Sequence, residues 1–208
     1  MTKEGRLLFL SMMIGDGYIG SKGYARILHC GRCKDYVEWK WALLKKAGFS
    51  LTDVFLVDNS GFPAYSFGIR ASRVSKLYRR VLYSTGSHHW YRRKLLNQLN
   101  PLHLAILYMD DGGLSQKKKD GVVVANDLIL NTHTTRENNQ VLIDYFYEVW
   151  GIKFTQVLNR GKYRLRCGTK EARKFLEIVR PYVSLIPSMS HKLAIKTDAL
   201  DKRGRGLD

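Results

Sequence analysis

Phe9-Leu-Ser-Met-Met-Ile-Gly-Asp-Gly17 and Leu104-Ala-Ile-Leu-Tyr-Met-Asp-Asp-Gly112 are two versions of one pattern, an apolar helical run closed by an acidic residue and a glycine. In the second, Asn100 is placed to cap a helix and Pro101 to open it. Leu102, Ala105, Ile106 and Met109 then follow at i, i+3, i+4 and i+7, and Gly112-Gly113 stops the run. The first lacks so clean a cap but reads alike, with Leu7, Leu10 and Ile14 on one face and a stop at Gly17. Ser11 and Gly15 are small residues four apart, so another helix can approach closely there. A unit used twice contributes one carboxylate each time, Asp16 and Asp111, and two carboxylates brought together make a metal site.

Outward from each run the same order of elements returns. After the first, 18–30 reads as a hairpin and 34–47 as a helix ending at Gly48. Strands 52–57 and 64–70 flank the turn Asp58-Asn-Ser-Gly61, and a helix covers 72–82. After the second, the hairpin spans 114–132 with its turn near Lys119-Asp-Gly121. A helix over 136–150 ends at Gly151, strands 153–158 and 162–167 flank Asn159-Arg-Gly161, and a helix over 170–179 precedes Pro181. Each half therefore reads αββαββα. The expected divisions are 5–84, a linker 85–100, 101–195, and a basic tail 196–208.

The chain has 208 residues, and its 35 Lys and Arg against 18 Asp and Glu leave a net charge of +17. The basic residues recur along the whole length, which favours a nucleic acid held through its phosphates. No run approaches the span of a bilayer, and no basic amphipathic helix or lipidation signal suggests a membrane surface. The N-terminus matches no secretory signal, and three cysteines argue against a disulfide framework. A protein that is intracellular and not secreted is expected.

A twice-repeated αββαββα unit, each copy opening with an apolar helix that ends Asp-Gly, resembles the LAGLIDADG homing endonucleases, and most closely their single-chain, two-motif branch. Asp16 and Asp111 fall on the motif's last acidic position. The first copy departs from the pattern by carrying Ile14 where the earlier acidic letter stands. The likeness spans roughly residues 5–195, and its specific parts are the two motifs and a late Pro181-Tyr…His191-Lys-Leu stretch. The resemblance implies an α+β fold of two pseudo-symmetric halves, joined by the packed motif helices and presenting a DNA-binding β-saddle. It also implies a monomeric, intron-encoded hydrolase making a staggered cut at a long site in double-stranded DNA. Such a protein works wherever its target lies, in a bacterial or phage-infected cytoplasm or an organelle matrix.

The residues suit that chemistry. An Asp at a helix C-terminus meets the negative end of the helix dipole, at a cost of about 0.3–1 kcal/mol, so neither carboxylate is placed for helix stability. Mg²⁺ relieves their mutual repulsion, accepts oxygen ligands and shares its shell with substrate phosphate, and Mn²⁺ is expected to substitute. Gly15 and Asp110 occupy equivalent places. Asp110 is therefore expected to be dispensable as a side-chain ligand, with backbone carbonyls contributing instead. The family also sets a lysine near each centre. Lys192 matches in the second half, whereas His88-His89 stand where the first-half lysine is expected, with His89 nearest and Lys94 as a substitute.

For DNA contact, Lys162, Arg164 and Arg166 alternate with Tyr163, Leu165 and Cys167, placing the bases on one strand face. Ser66 and Arg70 lie opposite Tyr65, Phe67 and Ile69, while Tyr24 and Arg26 come from the first hairpin. Asn131 is a candidate adenine reader, and Lys117, Lys118 and Lys119 at a hairpin tip suit phosphate. The halves differ on these strands, so an asymmetric target is expected.

Other readings carry less. Tyr108-Met-Asp-Asp111 spells a reverse-transcriptase signature, but Pro101 and the 3.6-residue period build a helix rather than a β-turn. Cys30-Gly-Arg-Cys33 is half a zinc site without a second pair. Trp39, Trp41, Trp90 and Trp150 sit in apolar patterns. The main alternative is an RNA maturase that assists group I intron splicing, with intron RNA as partner, or a cleavage-inactive DNA-binding relative.

Overall fold

The computed structural model of the protein describes residues 2–83 and 91–195. The first helix, α1 (Lys3–Ile14), does have a cap: the Thr2 hydroxyl accepts the Gly5 N–H at 3.1 Å. It leads through β1 (Tyr18–Ile19) and β2 (Ala25–Cys30) to α2 (Lys34–Lys46), β3 (Phe55–Asn59), β4 (Phe62–Ile69) and α3 (Arg73–Leu82). After a short helix, α4 (Arg93–Leu96), the order returns as α5 (Pro101–Asp111), β5 (Gly112–Lys119), β6 (Val122–Thr134), α6 (Arg136–Trp150), β7 (Thr155–Asn159), β8 (Lys162–Cys167) and α7 (Thr169–Val183). Two four-stranded antiparallel sheets result, ordered β1-β2-β4-β3 and β5-β6-β8-β7.

The caps follow the sequence. Asn100 accepts the His103 N–H and the His103 ring accepts the Asn100 N–H, with Pro101 at the first helical position. Ser72 caps α3, Thr135 caps α6, and Gly151 closes α6 at φ 66°, in the left-handed region that favours glycine. Three expectations shift. β3 begins at Phe55 instead of 52, because Thr52 leaves the ladder to bond across to Gly68 and to accept the Trp41 indole. The 85–100 stretch contains α4, and Tyr91 within it is buried, its N–H held by Asn138. α7 runs through Pro181 to Val183. Its buried stripe of Ala172, Phe175, Leu176 and Val179 continues onto Val183, and that packing outweighs the one backbone bond a proline so near the helix end removes.

The core is centred on α1 and α5. Leu7 to Ile14 and His103 to Met109 are buried almost without interruption, so both motif helices are apolar all round and lie between the two halves. The small-residue approach is real at Gly15. A Cβ added there would lie 2.0 Å from Asp110 Oδ2 and 2.7 Å from its Cγ. Gly15→Ala is therefore expected to push the motif helices apart and cost about 1–3 kcal/mol, read as a lower denaturation midpoint; an unchanged midpoint would show that the crossing can yield.

Candidate metal and nucleic-acid site

Each motif aspartate sits where its helix gives way to a sharp turn. A side chain at Gly17 would bring its Cβ to 2.5 Å from the Met12 carbonyl, and one at Gly112 to 2.5 Å from the Tyr108 carbonyl, so the residue after each aspartate must be glycine. The two turns meet. The Asp16 N–H donates to Asp110 Oδ2 at 3.1 Å, which ties the end of one motif to the end of the other.

Asp110 is fully buried as a side chain and held from every side. Lys40 Nζ lies 2.5 Å and Tyr36 Oη 2.7 Å from its Oδ1. Burial opposes its ionisation, but the Lys40 charge, His29 and the donated hydrogen bonds outweigh that and keep the carboxyl below its usual range. A carboxylate with its oxygens so engaged acts as a structural anion in the metal-free fold.

Asp16 and Asp111 are the opposite case. Burial first, then the charge of Asp110, raises Asp16 to about 6 against the pull of Lys40 and Lys192. Burial, then Asp16 and Asp110, raises Asp111 to about 8. Two oxygen-bearing groups that resist ionising together, at the mouth of a cleft, are the donor set a hard divalent cation fits. The cleft, of about 820 Å³, is lined by Gly15, Asp16, Asp111, His133 and Lys162 among others. A second recess of about 490 Å³ shares Asp16 and adds His29, Cys33, Asp110 and Lys192.

Lys192 lines this second recess. The turn Pro187–Leu193 carries its ammonium onto the Met109 and Tyr108 carbonyls at the C-terminal end of α5, where a cation also offsets the helix dipole. Burial lowers its pKa, against the attraction of Asp110, Asp16 and Asp111. His88 and His89 lie outside the described residues. Lys94, the substitute for His89, is exposed on α4.

The basic strand residues fall largely where the alternation puts them. Tyr24 is 61% exposed, Lys118, Lys119 and Lys162 are exposed, and Arg70 lies just beyond β4. Asp127 organises two others, at 3.2 Å from Lys117 Nζ and 2.6 Å from Arg166 Nε. Arg164 is half-buried, and its Nε has no partner among the described residues. Two placements differ from expectation. Ser66 is on the Arg26 face but wholly buried, accepting from Arg26 Nε at 2.8 Å and donating to the Ile27 carbonyl, so it holds Arg26 instead of meeting a ligand. Asn131 donates to the Asp111 carbonyl at 3.2 Å, which makes it a brace of the second motif instead of a free base reader.

Sequence reasoning missed the cluster behind Asp16. His29 Nδ1 lies 3.4 Å from Asp16 Oδ2, and its Nε2 lies 3.0 Å from Lys40 Nζ and 3.8 Å from Asp110 Oδ1. Burial, then the Lys40 charge, pushes the ring down to about 3, so it is neutral and these contacts are not ion pairs. A signal existed. Tyr36, Val37, Lys40 and Leu44 form the buried stripe of α2, and a lysine within such a stripe demands a buried anion. His133 was also passed over. It has φ 42° where the β6–β8 register shifts between Leu130 and Thr134, and this irregular stretch lines the larger cleft. Cys30 and Cys33 are free thiols with sulfurs 3.2 Å apart, and Cys167 is buried.

The architecture has known counterparts. The homing endonuclease I-WcaI bound to its DNA recognition sequence superposes with a TM-score of 0.76 at 17% identity, over 94% of this chain and 88% of that one. A "Probable intron-encoded DNA endonuclease 3" from Mycosarcoma maydis is 29% identical over 49% of this chain and 69% of its own. A protein named RecA from Mycolicibacterium fallax is 31% identical over 81% of this chain and 39% of its own, so the chain spans well under half the length of that relative. The family model for "LAGLIDADG DNA endonuclease family" matches residues 9–175, from the first letter of the first motif to the middle of α7. With both nine-residue motifs, both sheets and both motif aspartates inside that match, the chain belongs to the LAGLIDADG DNA endonuclease family.

Proposed function

We propose that the protein is a site-specific endonuclease that uses divalent metal ions to hydrolyse both strands of DNA at a long asymmetric site. The observation that carries this is the meeting of Asp16 and Asp111, each at the end of a motif helix, in a cleft flanked by basic strands. Asp16 and Asp111, with the backbone carbonyls of Gly15 and Asp110, would hold Mg²⁺ or Mn²⁺. When bound, the ion polarises a phosphoryl oxygen and lowers the pKa of water.

The chain's own groups do the rest. Lys162, Arg164, Arg166, Lys118, Lys119, Arg26 and Arg70 neutralise phosphates and set the register of the duplex. Lys192 keeps a positive charge at the carboxylate pair without competing for its open oxygens. One chain supplies both aspartates, so a monomer suffices. The two sheets present different side chains, so a palindromic target is disfavoured. The setting is the compartment that holds the target DNA; no helix among the described residues is long and apolar enough to cross a membrane.

Incubation with Mg²⁺ and a randomised library of long duplexes is expected to yield a single family of non-palindromic sites cut with a stagger, and no products with EDTA. Tight binding to a structured intron RNA without any DNA cleavage would replace this reading with a maturase.

A further inference from the structure

We propose that His29 is a positioning residue for Asp16, serving one of the two carboxylate centres and not the other; the proposal rests on the endonuclease reading above. His29 is 8% exposed on β2, with the Tyr36 ring tilted against it at a centroid distance of 4.8 Å. Behind it stands Lys40, fully buried, with Nζ 3.0 Å from Nε2. An ammonium has only protons to offer, so Nε2 must accept. The proton of a neutral ring is then on Nδ1, the atom 3.4 Å from Asp16 Oδ2. Lys40 is fixed in turn by Asp110 at 2.5 Å. A continuous line of polar contacts thus runs from the buried anion of the second motif through Lys40 and His29 to the carboxylate of the first.

Among the described residues, the second half has no such line. Counted from the first pair of each outer ladder, Phe55 with Ser66 and Thr155 with Arg166, Tyr65 corresponds to Leu165, and their partners on the next strand are His29 and Leu130. Leu130 is buried and apolar. Asp111 is supported instead through its backbone, by Asn131. A donor 3.4 Å from one Asp16 oxygen is placed to bias the carboxyl orientation, and loss of such an outer partner of a ligand costs roughly 10–100-fold.

Two measurements test this. Long-range ¹H–¹⁵N correlation spectra of the free protein, with His29 assigned by its loss in a variant, are expected to show the proton on Nδ1; a proton on Nε2 overturns the proposal. On a supercoiled plasmid bearing the selected site, His29→Ala is expected to slow one strand roughly 10–100-fold and leave the other unchanged, so that nicked circles broken in a single strand accumulate. His29→Asn, which returns an N–H near the Nδ1 position, should restore much of that rate, whereas His29→Gln, whose amide reaches toward Lys40, should not. Equal slowing of both strands by His29→Ala would make His29 a packing residue and overturn the proposal. A wild-type protein that cuts no DNA would defeat the endonuclease reading, and the tautomer would still decide whether His29 offers Asp16 a proton.

Discussion

Asp16→Asn and Asp111→Asn are each expected to abolish double-strand cutting, lowering the rate at the affected strand roughly 1000-fold while duplex affinity in the absence of metal is retained. The size follows from the several kcal/mol that a bound cation contributes by stabilising developing charge, with about 1.4 kcal/mol for each tenfold. An amide keeps the shape of the side chain and loses the anionic oxygen. Gel-shift affinity in EDTA and strand-resolved cleavage in Mg²⁺ separate the two effects, and full double-strand activity in either variant would remove the metal-site assignment.

The same variants have a signature in stability. Asp111 is raised to about 8 and Asp16 to about 6 in the metal-free fold, against an ordinary value near 3.8. A carboxyl whose folded pKa is raised contributes stability that is fully present below its unfolded value and is lost as pH rises through the folded one. Metal-free protein should therefore lose stability from these groups between about pH 4 and 8. Mg²⁺, which competes with those protons, should raise the melting temperature more at pH 8 than at pH 6. Asp111→Asn should flatten both trends. A Mg²⁺ increment independent of pH in the wild type would show that the ion binds elsewhere.

Lys40→Met is expected to be the most destabilising single change outside the aliphatic core. It strands the Asp110 carboxylate, fully buried as a side chain, with only Tyr36 and the Asp16 N–H as donors. Breaking a buried pair from one side costs about 3–5 kcal/mol, whereas removing both charges is far milder. For a chain of this size that is roughly a 10 °C fall in melting temperature. Adding Asp110→Asn to Lys40→Met should recover more than half the loss. A double variant no more stable than the single one would show that Lys40 matters for its packing and not for its charge.

The motif aspartates were legible because their chemistry is written twice at matched places, each in a helix whose period and stop are unambiguous. The strand faces of β8 were legible for the same reason, since Lys162 to Cys167 alternates without a break. Lys40 was legible only in part: Tyr36, Val37 and Leu44 mark the inward stripe on which it lies, but the anion it meets comes from the crossing of α2 over the motif ends, which no local pattern encodes. Ser66 and Asn131 were misread in function and not in position: alternation gives the face of a sheet, but not whether a neighbouring arginine or carbonyl already occupies the side chain. Pro181 illustrates a local rule overridden by a buried stripe that extends past it.

The seating of Asp110 against Gly15 makes the two halves unlike in a way that cannot be shared. A dimer of two second halves would set a carboxylate against a carboxylate in the space that now holds one side chain and a bare Cα. A dimer of two first halves would leave two buried lysines facing two glycines, with no anion between them. Neither half can recognise itself. Any recombination of its halves with those of relatives must therefore carry Lys40, Gly15 and Asp110 together.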